Sequence, residues 1–174
     1  YGLDDDPAGR EAVIKMIKKE YETLAAMKYH SHEIQLMGVL FDGTGPKWVL
    51  TPLVTGGSLQ NLLNDNTVVQ GKVPRYLMHV LLGLYHLHKH GIVHRDIKPA
   101  NILLGPGDRC IVADLGLARQ LGSTTQLNLT AEGTPLYVAP EIRRQEYSNK
   151  VDLWSVGVMA VELINGSIDL FDFQ

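Results

Sequence analysis

The sequence holds one cysteine, Cys110, so no disulfide can form within it; that fits a reducing compartment, and a cytoplasmic location is expected. It has no apolar run near the roughly 20 residues of a membrane-spanning helix, so no membrane segment is expected. Basic residues are not in excess. The net charge is -3, which argues against a general binder of nucleic acid or of acidic membranes. The start, Tyr1-Gly2-Leu3-Asp4-Asp5-Asp6-Pro7, lacks the basic-then-apolar layout of a signal peptide. There is no internal repeat and no low-complexity tract. What is present is a chain with 45% hydrophobic and 20% charged residues, long enough to bury a core as one globular domain.

Apolar residues at Val13, Ile17, Tyr21, Leu24 and Met27 recur at three-and-four spacing, which predicts a helix over 9–29 with an acidic, proline-marked start. Residues 36–41 and 47–54 read as two strands joined by the turn Asp42-Gly43-Thr44-Gly45-Pro46. Ser58 is a candidate N-cap for a short helix through Leu63. After a polar loop over 64–74, a longer helix is expected over 75–90, ending at Gly91. Residues 102–104 and 110–113 form a second expected hairpin. Residues 118–139 show no period and read as a long loop, either functional or disordered. The nearly all-apolar stretch 151–163 reads as a buried helix.

The chemistry concentrates in His94-Arg95-Asp96-Ile97-Lys98-Pro99-Ala100-Asn101, where an acid, two bases and an amide share eight residues. Asp114-Leu115-Gly116 follows at the end of an expected strand, and Gly116 permits a sharp turn after it. An amide and a carboxylate offered from neighbouring loops suit Mg²⁺, which prefers oxygen donors and shares its shell with phosphates. Further on come Gly133-Thr134-Pro135-Leu136-Tyr137-Val138-Ala139-Pro140-Glu141 and Asp152-Leu153-Trp154-Ser155-Val156-Gly157. Each piece alone is common. In this order and at these spacings they resemble the catalytic loop, the metal-binding Asp-Phe-Gly (Leu replacing Phe), the Ala-Pro-Glu segment and the buried Asp-x-Trp helix start of the eukaryotic protein kinases.

That resemblance implies an α+β, two-lobed protein-kinase-like fold, with about 1–54 as the remainder of the small lobe and hinge and 55–174 as the large-lobe core. It implies ATP and Mg²⁺ as cofactors and a protein with Ser/Thr hydroxyls as substrate. Asp96 would orient the hydroxyl and take its proton, and Lys98 would place positive charge near the transferred group. Asn101 and Asp114 would hold Mg²⁺. Thr51, Pro52, Val54 and Leu103 would line the nucleotide site: Thr51 as gatekeeper, Pro52-Leu53-Val54 as hinge with the Val54 N–H on the adenine, and Leu103 beneath the ring. Leu24, Leu36, His94 and Leu115 match a column of stacked side chains joining the lobes, a reading hard to separate from plain core packing. Arg95 implies control by phosphorylation, with Ser123, Thr124, Thr125 and Thr130 as candidate acceptors. Lys98 with Thr134 points to Ser/Thr specificity. Glu20 matches the helix glutamate, Asp152 would fix the catalytic loop from below, and Glu141 would pair with an arginine that no position after Arg144 supplies.

The pattern departs at both ends. No G-x-G-x-x-G occurs before residue 30. Lys15 sits in Ala12-Val13-Ile14-Lys15, which resembles the strand lysine, but the helical period throughout the segment favours an exposed residue on the helix. The expectation is a small lobe without its first strands and a large lobe without its last helices, weak or absent ATP binding by the chain alone, and a non-catalytic kinase-like interaction module as the alternative. A small-molecule kinase on this scaffold is a third reading, opposed by residues 133–141. His79, His86, His88, His90 and His94 lack the spacing of a zinc motif and read as solvated or helix-end histidines. Lys15, Lys18 and Lys19 read as a charged helix face, and Cys110 as inert core.

Overall fold

A computed structural model describes residues 7–42, 45–120, 135–144 and 148–167. Helix α1, Pro7–Ala26, opens with proline in its first turn, where the missing N–H costs nothing. It ends three residues before the expected boundary, and residues 27–37 run on without regular structure. Leu24 is buried, while Lys15 and Lys18 are exposed and Lys18 pairs loosely with Glu22 one turn on. Strands β1 (Gly38–Asp42) and β2 (Gly45–Leu50) form the first expected hairpin, antiparallel, with a bulge between Leu40 and Phe41. The Phe41 ring meets Tyr21 of α1 edge-on at 6.3 Å. β2 stops at Leu50, short of the expected Val54, and Pro52, which has no N–H to give a ladder, lies in the segment beyond it.

Helix α2 (Leu59–Asn64) has Ser58 as its N-cap in a reciprocal capping box: the Asn61 N–H reaches Ser58 Oγ and the Ser58 N–H reaches Asn61 Oδ1. Helix α3 runs over Val73–Lys89, two residues earlier than expected, because Pro74 falls in the first turn, where proline is tolerated. Gly91 follows with φ 72°, the left-handed turn that ends the helix. Strand β3 (Ile92–Val93) pairs with β6 (Arg119–Gln120); both are two residues long and carry no periodic signal. Strands β4 (Ile102–Gly105) and β5 (Arg109–Val112) make the second expected hairpin. Helix α4 (Lys150–Asn165) buries Val151, Asp152, Ser155, Val158, Met159 and Leu163, but Leu153, Trp154 and Ile164 are exposed, so it is half-buried rather than enclosed.

The main core packs α2, α3, the β4–β5 hairpin and α4 together; Leu24 and Leu115 belong to it, and Leu36, partly buried, packs against it. Cys110 is fully buried there, and burial pushes its thiol up to about 12, so it is an inert core residue. Among the described residues no helix is long and apolar enough to cross a membrane.

Candidate active site

Asp152, in the first turn of α4, is fully buried and organises the loop that begins at His94. The His94 N–H donates to its Oδ2 at 2.9 Å and the Arg95 N–H to its Oδ1 at 2.8 Å. His88 Nε2 of α3 lies 2.7 Å from the same Oδ2. Two N–H groups aimed at one carboxylate hold Arg95 at φ 72°, a left-handed conformation that a non-glycine residue adopts only under such constraint. His94 is fully buried and bridges: its Nδ1 accepts the Asp96 N–H at 3.3 Å and its Nε2 donates to the Ala113 carbonyl at 3.0 Å. The description of the histidines as solvated or helix-end therefore fails for His94, which is fully buried, while His88 lies in the last turn of α3 and His90 at its C-cap is exposed.

The bends so fixed bring Asp96, Lys98 and Asn101 together. Lys98 Nζ lies 2.7 Å from Asp96 Oδ2. Asn101 Nδ2 donates to both the Asp96 carbonyl and Asp96 Oδ2, each at 2.8 Å. Asp96 and Asn101 are buried, and Lys98 is partly exposed, so the carboxylate is preorganised at the edge of the interior. The register of β4 and β5 pairs Ile102 with Val112, and the Ala113 N–H donates to the Asn101 carbonyl at 2.9 Å. Asp114 comes next, exposed, at φ 63°, with its Oδ1 accepting the Gly116 N–H at 3.3 Å. The Asn101 Nδ2 is engaged with Asp96, so the oxygen is the atom of this amide that could serve a cation. With the Asp114 carboxylate this is a hard oxygen donor set, which fits Mg²⁺.

Glu20 is near enough that Asp114 raises its carboxyl further, after burial as the larger cause. Arg95 NH1 reaches the Leu117 carbonyl at 3.4 Å. The segment after Val54 lies along β4: the Leu104 N–H donates to the Gly57 carbonyl at 2.9 Å, and Ser58 bridges Leu103. A Cβ on Gly56 would stand 2.2 Å from the Leu104 carbonyl oxygen, so only glycine permits this approach. Val54 and Leu103 pack on the core, whereas Thr51 and Pro52 are exposed. Pro52 and Val54 also line a cavity of about 250 Å³ together with His30, Glu33 and Arg109. Glu141 is partly buried in the 3-10 turn Pro140–Arg144. Ahead of it Tyr137 ties the segment to α4: its OH donates to Glu162 Oε2, and its carbonyl accepts Ser155 Oγ at 2.8 Å. Ser123, Thr124, Thr125, Thr130 and Thr134 lie outside the described residues.

The sequence profile of the protein kinase domain matches residues 5–172. The chain belongs to the protein kinase domain family. It is 40% identical over 123 residues to the serine/threonine-protein kinase SMU1 of Mycosarcoma maydis, covering 70% of this chain and 16% of that protein. It is 38% identical over 154 residues to the serine/threonine-protein kinase shk1/pak1 of Schizosaccharomyces pombe, covering 86% of this chain and 23% of that protein. It is 40% identical over 123 residues to the serine/threonine-protein kinase MST20 of Pyricularia oryzae, covering 70% and 14%. The kinase domain chain thus spans less than a quarter of the length of these relatives. Sequence reasoning missed His88 as a partner of Asp152; the one available signal was its place in the last turn of α3, just ahead of the loop that begins at His94.

Proposed function

We propose that the chain carries the phosphoryl-transfer centre of a serine/threonine protein kinase, moving the γ-phosphoryl group of ATP to Ser or Thr hydroxyls of protein substrates. The observation that supports this most is the Asp96 carboxylate, buried and held between Lys98 Nζ and Asn101 Nδ2. In the proposed step the substrate hydroxyl oxygen attacks the γ-phosphorus, its proton passes to Asp96, and the bond to the ADP oxygen breaks. Most of the contribution of Asp96 is positioning, since a carboxylate is a weak base at neutral pH. Lys98 stabilises charge spread over the transferred oxygens. Asn101 and Asp114 would hold Mg²⁺, which when bound neutralises charge on the phosphates.

Thr51, Pro52, Val54 and Leu103 are proposed to seat the nucleotide, with the Val54 N–H on adenine. Arg95 is proposed to grip a phosphate on Ser123, Thr124, Thr125 or Thr130, with Glu20 positioned against the site, and Lys98 with Thr134 to favour Ser/Thr acceptors. The location proposed is cytoplasmic. The test is Asp96→Asn in the full-length protein, assayed for transfer of labelled phosphate to a generic protein substrate. Transfer should fall at least about 100-fold with the melting temperature retained. Full transfer by the variant would refute the role of Asp96. No transfer by the unaltered protein would leave the chain as a non-catalytic, kinase-like interaction module.

A further inference from the structure

Glu33 carries its carboxylate into the interior, with 3% of the side chain exposed. A buried carboxylate has to be matched by hydrogen bonds or a cation. His86 Nδ1 of α3 stands 2.9 Å from Glu33 Oε1, and His30 Nδ1 stands 3.8 Å from the same oxygen. One ligand atom from each of the three residues lies within 4.8 Å of the others. We propose that His30, Glu33 and His86 form a binding site for a single zinc-class divalent cation, with a fourth position left to water.

Two imidazoles and a carboxylate are a donor set that favours Zn²⁺, in contrast to the oxygen-only pair Asn101 and Asp114. The site is mounted rigidly. The Ile34 N–H donates to the Val112 carbonyl at 2.8 Å and the Val112 N–H to the His32 carbonyl at 2.9 Å, so β5 holds the segment that bears His30 and Glu33. Gln35 Nε2 donates to the carbonyls of both His30 and Glu33. Gly83 lets α3 come close: a Cβ there would lie 2.7 Å from the His32 carbonyl oxygen. That approach sets His86, one turn further along α3, against Glu33. An ion gains access through the cavity of about 250 Å³, which His30 and Glu33 both line.

Binding demands one local change. The His30 and His86 rings stack at 4.7 Å with 10° between their planes, and an imidazole ligates within its own plane, so parallel rings cannot address one ion. Metal–ligand bonds of about 2.0–2.1 Å also require the wider separations to close. His30, on the irregular segment and 26% exposed, is the ring that must turn, giving up the His32 N–H that its Nδ1 accepts at 3.4 Å.

The test titrates the 174-residue chain with Zn²⁺ in excess Mg²⁺ by calorimetry, and with Co²⁺ by visible absorption. One ion should bind per chain, tighter than about 10 μM, with the intense bands of four-coordinate Co²⁺. Glu33→Gln and His30→Ala, each checked for retained fold by circular dichroism, should weaken it at least about tenfold. His79 reaches none of the three ligands and stacks only on His32, which in turn meets His30 at 5.8 Å, so His79→Ala should leave affinity nearly unchanged. Affinity weaker than about 10 μM, less than tenfold loss in both site variants, or loss in His79→Ala would each overturn the site.

Discussion

Two buried carboxylates face histidines two residues apart on helix α3, and they are satisfied differently. Asp152 meets the His94 N–H, the Arg95 N–H and His88 Nε2, all within 2.9 Å. Glu33 meets His86 at 2.9 Å and His30 only at 3.8 Å. Asp152 has three donors converging on it from two elements, so its acceptor capacity is spent on holding backbone. Glu33 retains capacity and borders a cavity. In one protein the same chemical group thus serves as a structural tie where donors are complete and as a candidate ligand where they are not.

Removing the complete case should cost most. Asp152→Ala strands two buried N–H groups and the ring of His88, and should destabilise the chain by about 3–5 kcal/mol, read by urea unfolding. It should also free Arg95 from its left-handed backbone and so displace Asp96, visible as lost ordering of the catalytic-loop amides in hydrogen exchange. A loss below about 1 kcal/mol would mean that the loop geometry is held by something other than Asp152.

Gly83→Ala should strike the other carboxylate and spare the first. Its Cβ would stand 2.7 Å from a backbone oxygen and 3.0 Å from Val112 Cγ2, so α3 must shift off the segment bearing Glu33. The overpacking cost of about 1–3 kcal/mol exceeds the helix-propensity gain of up to about 1 kcal/mol. The net result should be a modest loss of stability and weaker Zn²⁺ binding, with hydrogen exchange at His94 and Arg95 unchanged. A stabilised variant would show that the close approach at His32 is not tight.

Most of this centre was legible in the sequence because its members are local. Asp96, Lys98 and Asn101 lie within six residues, and Asp114 follows through one hairpin whose strands and turn were readable. The capping box at Ser58 and the end of α3 at Gly91 follow from single-residue chemistry. What escaped was non-local or too short for a period. Strands β3 and β6 have two residues each. His30 and Glu33 meet His86 only through packing of an irregular segment against α3, and nothing in the spacing of 53 residues announces it. The start of α3 escapes by two residues, because the polar stretch 64–74 reads as loop to its end although Val73 and Pro74 already form the first turn.

At pH 5 the smallest effect is expected from Glu33→Gln, and it grows as pH rises. Burial pushes the Glu33 carboxyl up to about 8 from an ordinary 4.5, and burial, followed by the neighbouring His30, His90 and Lys89, lowers His86. Both shifts favour the neutral forms of the two groups across their 2.9 Å contact. An acid whose folded value is raised gives stability that is complete below the unfolded value and is lost as pH rises through the folded one. For Glu33 that window runs from 4.5 to about 8. Glutamine keeps the shape and has no charge to desolvate. At pH 5 in EDTA the variant should therefore differ from the unaltered chain by less than about 1 kcal/mol, and by pH 9 it should be the more stable of the two. Parallel pH dependence of the two unfolding curves would show that Glu33 is ionised and compensated in the folded chain. It would then stand beside Asp152 as a satisfied carboxylate instead of contrasting with it.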